Sequence, residues 1–228
     1  MDHRNTFIII PTYNEAEVIQ ETLKPLIEYG YRVVVVDDGS TDATGSILCS
    51  LPVTVIQHII NLGQGAALQT GMAYALSQGA EIIVHFDADG QHNHRDIERL
   101  IQPILEGKAD IALGSRFLNR EHAREIPPLK RILLRLATLF TIMVSGIRLT
   151  DTHNGFRAFS RRAAQQIDIK ENNMAHASEI IHKIARSKLS YIEVPVHIIY
   201  TQYSQRKGQS VFNSINILFD FIIGRFLK

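Results

Sequence analysis

The sequence predicts an α/β fold with a mostly parallel central sheet, and three observations support this class. Five short runs rich in β-branched residues recur in the first half of the chain, and each is apolar on both faces. Helical patterns separate these runs, which is typical of βαβ units with right-handed crossovers. No Pro/Gly/Ser-rich linker divides the 228 residues, so we expect one domain with one sizeable core.

The predicted strands follow the order of these apolar runs. They cover residues 7–10, 33–36, 53–56, 82–86 and 110–113. Further along the chain, the segment DTHNGFRAFSRRA predicts a turn, a strand and a helix, HASEIIHKIARS predicts a helix, and YIEVPVHIIY predicts another strand. Runs that are apolar on both faces suit strands buried within a parallel sheet.

The predicted helices start near turn residues that follow the strands. The first opens at Asn14, because Glu17 three residues later matches a capping box, and Pro25 is expected to kink or shorten it. The next three helices are expected to begin at Ser40 or Thr41, near Gly65 and near Asn93.

Composition excludes several partners and locations. The formal net charge is +1, whereas nucleic-acid binding needs a strong basic excess, so we expect no nucleic-acid partner. The single cysteine, Cys49, indicates a reducing compartment and is expected to be a small buried residue. The charged start of the chain has too short an apolar run for a signal peptide, and no segment has the ~20 apolar residues that span a bilayer. We therefore expect a cytoplasmic protein.

Polar clusters follow each of the first five predicted strands. In chain order they read TYNE, DDGSTD, NLGQGAA, DADGQH and GSR. Ligands of open α/β sheets bind at the carboxyl ends of the strands, where the loops turn into helices. The five clusters therefore predict one binding edge.

The carboxylates in HFDADGQH are the strongest chemical signal at that edge. Asp87 and Asp89 lie two residues apart at a strand end, so in an extended segment both face the same way. Like charges at that spacing raise each other's pKa unless a cation lies beside them. Oxygen ligands of this kind predict Mg²⁺ or Mn²⁺ held jointly with substrate phosphates. Two alternatives stay open: a zinc site using His92 and His94, and simple helix capping.

The other clusters permit both structural and ligand-binding interpretations. Asp37 and Asp38 suit a turn and helix start, and a carboxylate there can also accept hydrogen bonds from a nucleobase or ribose. Gly63 and Gly65 precede a helix, at a spacing that lets backbone amides approach a phosphate or a base. Arg116 is placed to bind a diphosphate in bidentate fashion.

A long amphipathic helix is predicted within residues 127–149. It carries Lys130, Arg131 and Arg135 near its start, at spacings that can share one face. This face is either a solvated basic surface or a groove for a lipid-linked anion. The basic segment QRKGQS, at 205–210, is expected to close over phosphates.

Taken together, these motifs resemble those of the family 2 glycosyltransferases. The resemblance rests on PTYNE, DDGSTD, NLGQGAA, FDADGQH, GSR, DTHNGFRAF and a late VPV strand followed by RKGQS, in this order from residue 7 to about residue 210. More narrowly, the set looks like the branch of dolichol-phosphate mannose synthase and polyprenyl-phosphate glycosyltransferases. The resemblance implies a GT-A fold, a UDP- or GDP-sugar donor, a divalent metal and inversion at the anomeric carbon.

The resemblance also assigns roles to single positions. It implies that Pro11, Tyr13, Glu15 and Asp38 line the base and ribose pocket, that Gly65 and Ala88 contact the donor, and that Arg116 meets its phosphates. It further implies that Asp87 and Asp89 are the DxD metal pair with Gln91 as a further ligand, that Arg131 and Arg135 bind the acceptor phosphate, and that Arg206 and Lys207 belong to the closing loop.

Two acceptors are compatible with this resemblance. Polyprenyl phosphate is favoured by the basic amphipathic helix, although the family's small residue on that helix is here Leu134. A glycan hydroxyl is the alternative, and it would need Glu179 as a general base. We expect residues 1–210 to form the GT-A domain and residues 211–228 an amphipathic helix. That helix suits the inner face of a membrane, core packing or a homo-oligomer interface.

Overall fold

Seven strands form one sheet in the computed structural model, which describes residues 5–199 and Tyr203. They are β1 (Thr6–Thr12), β2 (Arg32–Asp37), β3 (Thr54–Gln57), β4 (Ile82–His85), β5 (Ile111–Ser115), β6 (Arg157–Ser160) and β7 (Tyr191–Pro195). Their spatial order is β3-β2-β1-β4-β6-β5-β7. Only β6 is antiparallel to its neighbours among these strands. The predicted α/β class with a mostly parallel sheet is confirmed.

Helices cover both faces of this sheet. They are α1 (Ile19–Glu28), α2 (Thr44–Leu48), α3 (Gln64–Ser77), α4 (Asp96–Leu105), α5 (Arg120–Glu125), α6 (Pro128–Ser145), α7 (Arg161–Gln166) and α8 (His176–Arg186). Side chains of α3, α7 and α8 share one apolar core with one face of the strands. Side chains of α1, α2 and α4 share a second core with the opposite face.

Strand β1 shows why the predicted strands are apolar on both faces. Phe7 and Ile9 point into the core that contains α3, whereas Ile8 and Ile10 point into the core that contains α1. Successive side chains of a strand alternate between faces, so a central strand needs apolar residues at every position. Because helices pack on both faces of the sheet, β1, β2 and β4 lie between two helix layers. The polar loops begin where these strands end.

Three helices start later than predicted. Asn14 does not cap α1, because its backbone has a positive φ of 53° and its side chain accepts a hydrogen bond from Thr41 N (2.8 Å). Helix α2 begins at Thr44, whose amide donates to Asp42 Oδ1 (2.9 Å). Helix α4 begins at Asp96 rather than near Asn93. The polar residues before α1 and α2 are therefore used in contacts between their two loops, whereas Asn93 accepts a local hydrogen bond from Arg95 N.

Two further expectations have clear outcomes. Cys49 is exposed at the end of α2, so the prediction that it is buried was wrong. Among residues 5–199 and Tyr203, no helix is both long and apolar enough to cross a bilayer. The predicted C-terminal helix at 211–228 lies outside the described residues.

Candidate active site

The loops that follow β1 and β2 bind each other directly. Asn14 N donates to Ser40 Oγ (2.9 Å), and Glu15 N donates to Thr44 Oγ1 (2.8 Å). Ala16 N donates to a carboxylate oxygen of Asp42 (3.2 Å). Side chains of one loop thus replace the missing backbone partners of the other, and the predicted convergence of TYNE and DDGSTD at one edge is confirmed.

Asp38 connects the second loop to the third. Its carboxylate accepts hydrogen bonds from Leu62 N (2.9 Å), Gly63 N (2.7 Å) and His58 Nδ1 (2.7 Å), and it is almost fully buried. Three donors around one carboxylate hold the loop after β3 in place. The contact of Asp38 with a base or ribose stays a prediction, and the structure adds this positioning role.

The glycines of NLGQGAA allow a close packing contact. Gly63 has a φ of 105°, which L side chains rarely adopt, and a Cβ at Gly65 would lie 2.0 Å from Glu171 O. Gly65 N donates to Asn172 O (2.7 Å), so this amide is already engaged by the chain itself. The structure therefore explains both glycines by the approach of residues 171–173, and a contact of Gly65 with the donor stays a prediction.

Asp87 lies at the centre of the polar edge. Its Oδ1 accepts from Gln64 Nε2 (3.0 Å) and its Oδ2 from His92 Nε2 (2.9 Å). Burial raises the pKa of Asp87, but the charge and hydrogen bond of His92, together with the charges of His176 and Arg157, leave the pKa lowered. A Cβ at Gly155 would lie only 2.8 Å from Oδ2, so glycine at that position is needed to admit the carboxylate.

Asp89 differs from Asp87 in its electrostatic surroundings. It accepts from Gln91 N (3.0 Å) and from Gln91 Nε2 (2.6 Å), both neutral donors. Burial raises the pKa of Asp89, and the neighbouring charge of Asp87 raises it further. A carboxylate disfavoured by burial and by a like charge is stabilised when a cation binds beside it.

The donor atoms of this loop fit a divalent metal ion shared with a substrate. Two carboxylates and the amide oxygen of Gln91 are hard ligands of the kind that Mg²⁺ and Mn²⁺ prefer. Within the described part of the chain, no three His, Cys, Asp or Glu side chains are grouped to hold a metal by themselves. A metal here would therefore need oxygens from a ligand, as a nucleoside diphosphate supplies.

Neither alternative for the HFDADGQH segment agrees with the structure. His92 packs between the rings of Phe86 and Phe156, whereas His94 lies against Tyr29, so the two imidazoles do not form a zinc pair. Helix α4 begins only at Asp96, so the two carboxylates do not cap it.

A layer of buried basic side chains lies beneath Asp87. Arg157 is fully buried, its Nη2 makes no hydrogen bond to the described residues, and burial lowers its pKa to about 10. His85 lies opposite Arg157 in the sheet and packs on Phe159; burial lowers its pKa to about 3, so it is neutral. The positive charge of Arg157 also contributes to the lowered pKa of Asp87.

Arg116 forms a buried ion pair with Asp151. Its Nε donates to Oδ2 (2.6 Å) and its Nη2 donates to Oδ1 (2.7 Å). Burial raises the pKa of Asp151, but the Arg116 charge and hydrogen bonds outweigh it and leave the pKa lowered. One edge of the Arg116 guanidinium thus binds Asp151. The contact of Arg116 with donor phosphates stays a prediction.

Helix α6 brings a cation toward the carboxylates. Lys130 is partly buried: burial lowers its pKa, the nearby Arg116 lowers it further, and the nearby Asp89 opposes both. Arg131 instead donates to Ala123 O (3.4 Å), and the exposed Arg135 lies over the ring of Phe117. The charge of Asp89 thus acts on Lys130, and binding of the acceptor phosphate by Arg131 and Arg135 stays a prediction.

The remaining donor-site positions surround the end of β1. Pro11 is buried within β1, and Tyr13 is exposed just after it. The hydroxyl of Tyr203 donates to Glu15 Oε2 (2.6 Å). Burial is the largest cause that raises the pKa of Tyr203, and this hydrogen bond raises it further. Ala88 O accepts from Thr22 Oγ1 (3.1 Å). Arg206 and Lys207 lie outside the described residues.

Glu179 is held by neighbouring groups. It accepts from the amides of Lys170 and Glu171, and Lys183 Nζ lies 2.8 Å from its Oε1. Burial raises the pKa of Glu179, but the hydrogen bonds from Lys183 and from these amides outweigh it and leave the pKa lowered. A lowered pKa makes a carboxylate a weaker base. Its role as a general base stays a prediction.

The comparisons identify the class to which this fold and site belong. Residues 7–168 match glycosyl transferase family 2, which is more than half of the chain. The chain belongs to this family, and it is accordingly a glycosyltransferase.

Three curated relatives align with most of the chain. An uncharacterized protein of Methanocaldococcus jannaschii is 40% identical over 95% of this chain and 90% of its own length. The UDP-N-acetylglucosamine–dolichyl-phosphate N-acetylglucosaminyltransferase of Methanococcus voltae is 33% identical over 95% of this chain and 94% of its own length. The polyprenol monophosphomannose synthase of Mycolicibacterium smegmatis is 30% identical over 85% of this chain and 77% of its own length.

A solved structure confirms the GT-A fold. Glucosyl-3-phosphoglycerate synthase from Mycobacterium tuberculosis, in complex with Mn²⁺ and UDP-glucose, aligns with a TM-score of 0.68. The alignment covers 96% of this chain and 77% of that chain, at 17% identity. At this identity the likeness establishes the fold alone.

Sequence reasoning missed several residues that shape the site. The sequence placed Lys130 with Arg131 and Arg135 on one basic face but did not predict that Lys130 is the partly buried member, although its helical phase is close to that of the buried Thr138 and Thr141. That phase is a signal present in the sequence. Asp151 and Arg157 were placed correctly in a turn and strand, but their partners come from distant positions that no local pattern reveals.

Proposed function

We propose that this glycosyltransferase moves a sugar from a nucleotide-diphosphate sugar to a polyprenyl phosphate, with inversion at the anomeric carbon and with Mg²⁺ or Mn²⁺. The named activities of the M. voltae and M. smegmatis relatives support the acceptor class. The observation that carries the proposal is helix α6, where the partly buried cation Lys130 near the start is combined with exposed apolar side chains along the helix. An anionic acceptor head at Lys130 would lie beside the carboxylates.

The outer face of α6 supports an acceptor with an apolar tail. Its large apolar side chains are exposed at spacings of three and four residues, which places them in one stripe along the helix. The stripe comprises Leu129, Ile132, Leu136, Leu139 and Met143. Contiguous exposed apolar surface of this kind suits contact with lipid. We therefore place the protein at the inner face of a membrane, with α6 against the bilayer surface.

The proposed reaction needs no general base. A phosphate monoester has a second pKa near ~6, so at neutral pH it is already a dianionic nucleophile. An acceptor phosphate oxygen forms a bond to the anomeric carbon while the bond from that carbon to the diphosphate oxygen breaks, and the nucleoside diphosphate leaves with the electron pair. The lowered pKa of Glu179 is consistent with an acceptor that needs no deprotonation.

The residues of the chain act by binding and orienting the two phosphate groups. Asp87, Asp89 and Gln91 would hold the metal, which when bound neutralises charge on the leaving diphosphate. Lys130 would bind the acceptor phosphate and orient it toward the sugar. Glu15, Tyr13 and Asp38 would hold the nucleoside at the ends of β1 and β2.

The proposal is tested by following labelled sugar into lipid. The purified protein is incubated with Mg²⁺ or Mn²⁺, a short polyprenyl phosphate and labelled UDP-glucose, UDP-N-acetylglucosamine or GDP-mannose. We expect sugar in the organic extract for one donor, and at least a 100-fold lower rate for Asp89→Asn, because charge stabilisation of this kind contributes about 10²-fold or more. Asp168→Asn, at an exposed carboxylate, serves as the control. A parallel reaction supplies a glycan acceptor instead of the lipid, and transfer to the glycan with no lipid product would contradict the proposal.

A further inference from the structure

His176 is a buried imidazole at the polar edge that the proposed reaction has not used. It is the first residue of α8 and is only 4% exposed. Its Cβ lies 2.9 Å from the position that a Cβ on Gly65 would occupy, so it packs directly against the loop that carries Gln64. Gln64 in turn binds Asp87. His176 therefore belongs to the wall beside Asp87.

The hydrogen bonds of His176 determine its tautomer. Nδ1 lies 2.8 Å from the carbonyl oxygen of Asn173, which can only accept, so Nδ1 carries the proton. Burial is the largest cause that lowers the pKa of His176, and the charge of Arg157 lowers it further. The hydrogen bond to the Asn173 carbonyl and the charge of Asp87 raise the pKa, but the net shift is downward. The ring is therefore neutral at pH 7, and Nε2 presents a lone pair.

Nε2 is the second polar atom of this buried side chain. It makes no hydrogen bond to the residues in the described ranges. An acceptor without a protein partner in a buried side chain is matched by a ligand that donates a hydrogen bond. Phosphates and carboxylates at neutral pH only accept, so they do not fit this position. A hydroxyl group does.

We propose that His176 Nε2 accepts a hydrogen bond from a hydroxyl of the sugar that is transferred, and so helps to select and orient that sugar. The inference rests on the proposed nucleotide-sugar donor. Both the ribose and the transferred sugar of such a donor carry hydroxyl groups. The ribose belongs with the nucleoside at the ends of β1 and β2, whereas the transferred sugar must lie near Asp87 when the diphosphate is bound at the DxD loop. In this role His176 is a specificity-determining residue, and it needs no proton transfer.

Two amide substitutions separate this role from a structural one. Asparagine can place its amide nitrogen near the position of Nδ1, so His176→Asn retains the bond to Asn173 and removes the acceptor at Nε2. Glutamine reaches farther, so His176→Gln places an amide oxygen near Nε2 and gives up the bond to Asn173. Each variant therefore keeps one of the two contacts of His176 and loses the other.

Binding is measured calorimetrically with Mg²⁺, using UDP-glucose, UDP-N-acetylglucosamine and GDP-mannose, with UDP and GDP as sugar-free controls. We expect His176→Asn to weaken the preferred nucleotide sugar about tenfold while nucleoside diphosphate binding changes less than about twofold, since one hydrogen bond is lost. His176→Gln should stay closer to wild type for the nucleotide sugar.

The outcomes distinguish this inference from the proposed function. Equal weakening of nucleotide sugar and nucleoside diphosphate, or a larger loss in His176→Gln than in His176→Asn, would show that His176 is structural and would overturn the inference alone. If the wild-type protein binds none of the nucleotides, the proposed function fails and the inference fails with it.

Discussion

The candidate site has two halves that are built differently. One half consists of the loops after β1, β2 and β3, and the other is helix α6. In the loops, side chains bind neighbouring backbone: Asp38 accepts three hydrogen bonds, and Asn14 and Ser40 link the first two loops. On α6, by contrast, large apolar side chains such as Leu136 and Met143 are exposed. The first half is held in place by hydrogen bonds within the chain, whereas the second presents surface that suits an external partner.

This difference indicates what each half recognises. A preorganised, hydrogen-bonded pocket suits a rigid polar ligand, because little order has to be created on binding. An exposed apolar helix with a partly buried cation at its start suits an amphipathic ligand or a membrane surface. The buried pair Arg116–Asp151 connects α6 with the carboxylate edge electrostatically. The charge of Arg116 acts on Lys130. The charge of Asp151 acts on Arg157, on which the charge of Asp87 also acts.

The largest expected effect is on stability, at the junction of the two halves. Asp151→Asn leaves Arg116 buried without its counter-charge, which costs about 3 kcal/mol of unfolding free energy at pH 7. Asp168→Asn removes an exposed pair with Lys170 and should cost less than about 1 kcal/mol. Urea denaturation measures both differences. Equal effects of the two substitutions would contradict the junction role.

The stability contributed by Asp151 also has a defined pH dependence. Its pKa is lower in the folded than in the unfolded chain, so folding is favoured when the carboxyl is ionised. This contribution is fully present above about pH 4, near the unfolded pKa, and is lost as the pH falls through the folded pKa. The gap between wild type and Asp151→Asn should therefore narrow in acid.

A smaller effect is expected on the acceptor half. Lys130→Met removes the cation near Asp89 and should raise the KM for polyprenyl phosphate about tenfold or more, with donor binding little changed, because a charged hydrogen bond is lost. Arg148→Met is the control, since Arg148 is an exposed cation just beyond the end of α6. If the two variants changed KM equally, the net charge of this region would matter rather than the position of Lys130.

The smallest expected effect is on membrane binding. Ile132→Ser on the α6 stripe should weaken binding to anionic lipid vesicles about threefold to tenfold, since it removes apolar surface from the proposed contact. Ile59→Ser, on the loop after β3, replaces a fully exposed isoleucine outside the stripe and is the control. Vesicle sedimentation measures both. Equal loss in the two variants would contradict α6 as the contact face.

The sequence predicted the parts of the fold that depend on local pattern. The apolar runs of β1, β2 and β4 are each within two residues of the observed strands at either end, because burial on both faces leaves a clear signal. Helix starts were predicted less well. Asn14 has the residue type of a cap, yet its side chain binds Thr41, 27 residues away. Contacts of that kind are set by the assembled sheet.

The site residues also divide into those predicted from local pattern and those set by contacts between distant positions. That Asp87 and Asp89 face one edge follows from strand geometry and the order of the loops. The electrostatic interaction between Arg157 and Asp87 follows from the antiparallel pairing of β6 with β4, and no run of neighbouring residues encodes that pairing. Lys130 is intermediate, because its inward phase on α6 can be read from the sequence only when the buried positions of that helix are recognised.

The most direct test measures the release of nucleoside diphosphate from the preferred nucleotide sugar in the presence of two lipids. One is a short polyprenyl phosphate, and the other is the polyprenol of the same chain length. The phosphate should stimulate release by at least about tenfold and the alcohol should not, because the phosphate is both the nucleophile and the ligand of Lys130. Equal stimulation by the two lipids, or stimulation by neither when the donor binds, would contradict the claim that α6 delivers a lipid phosphate to the carboxylate edge.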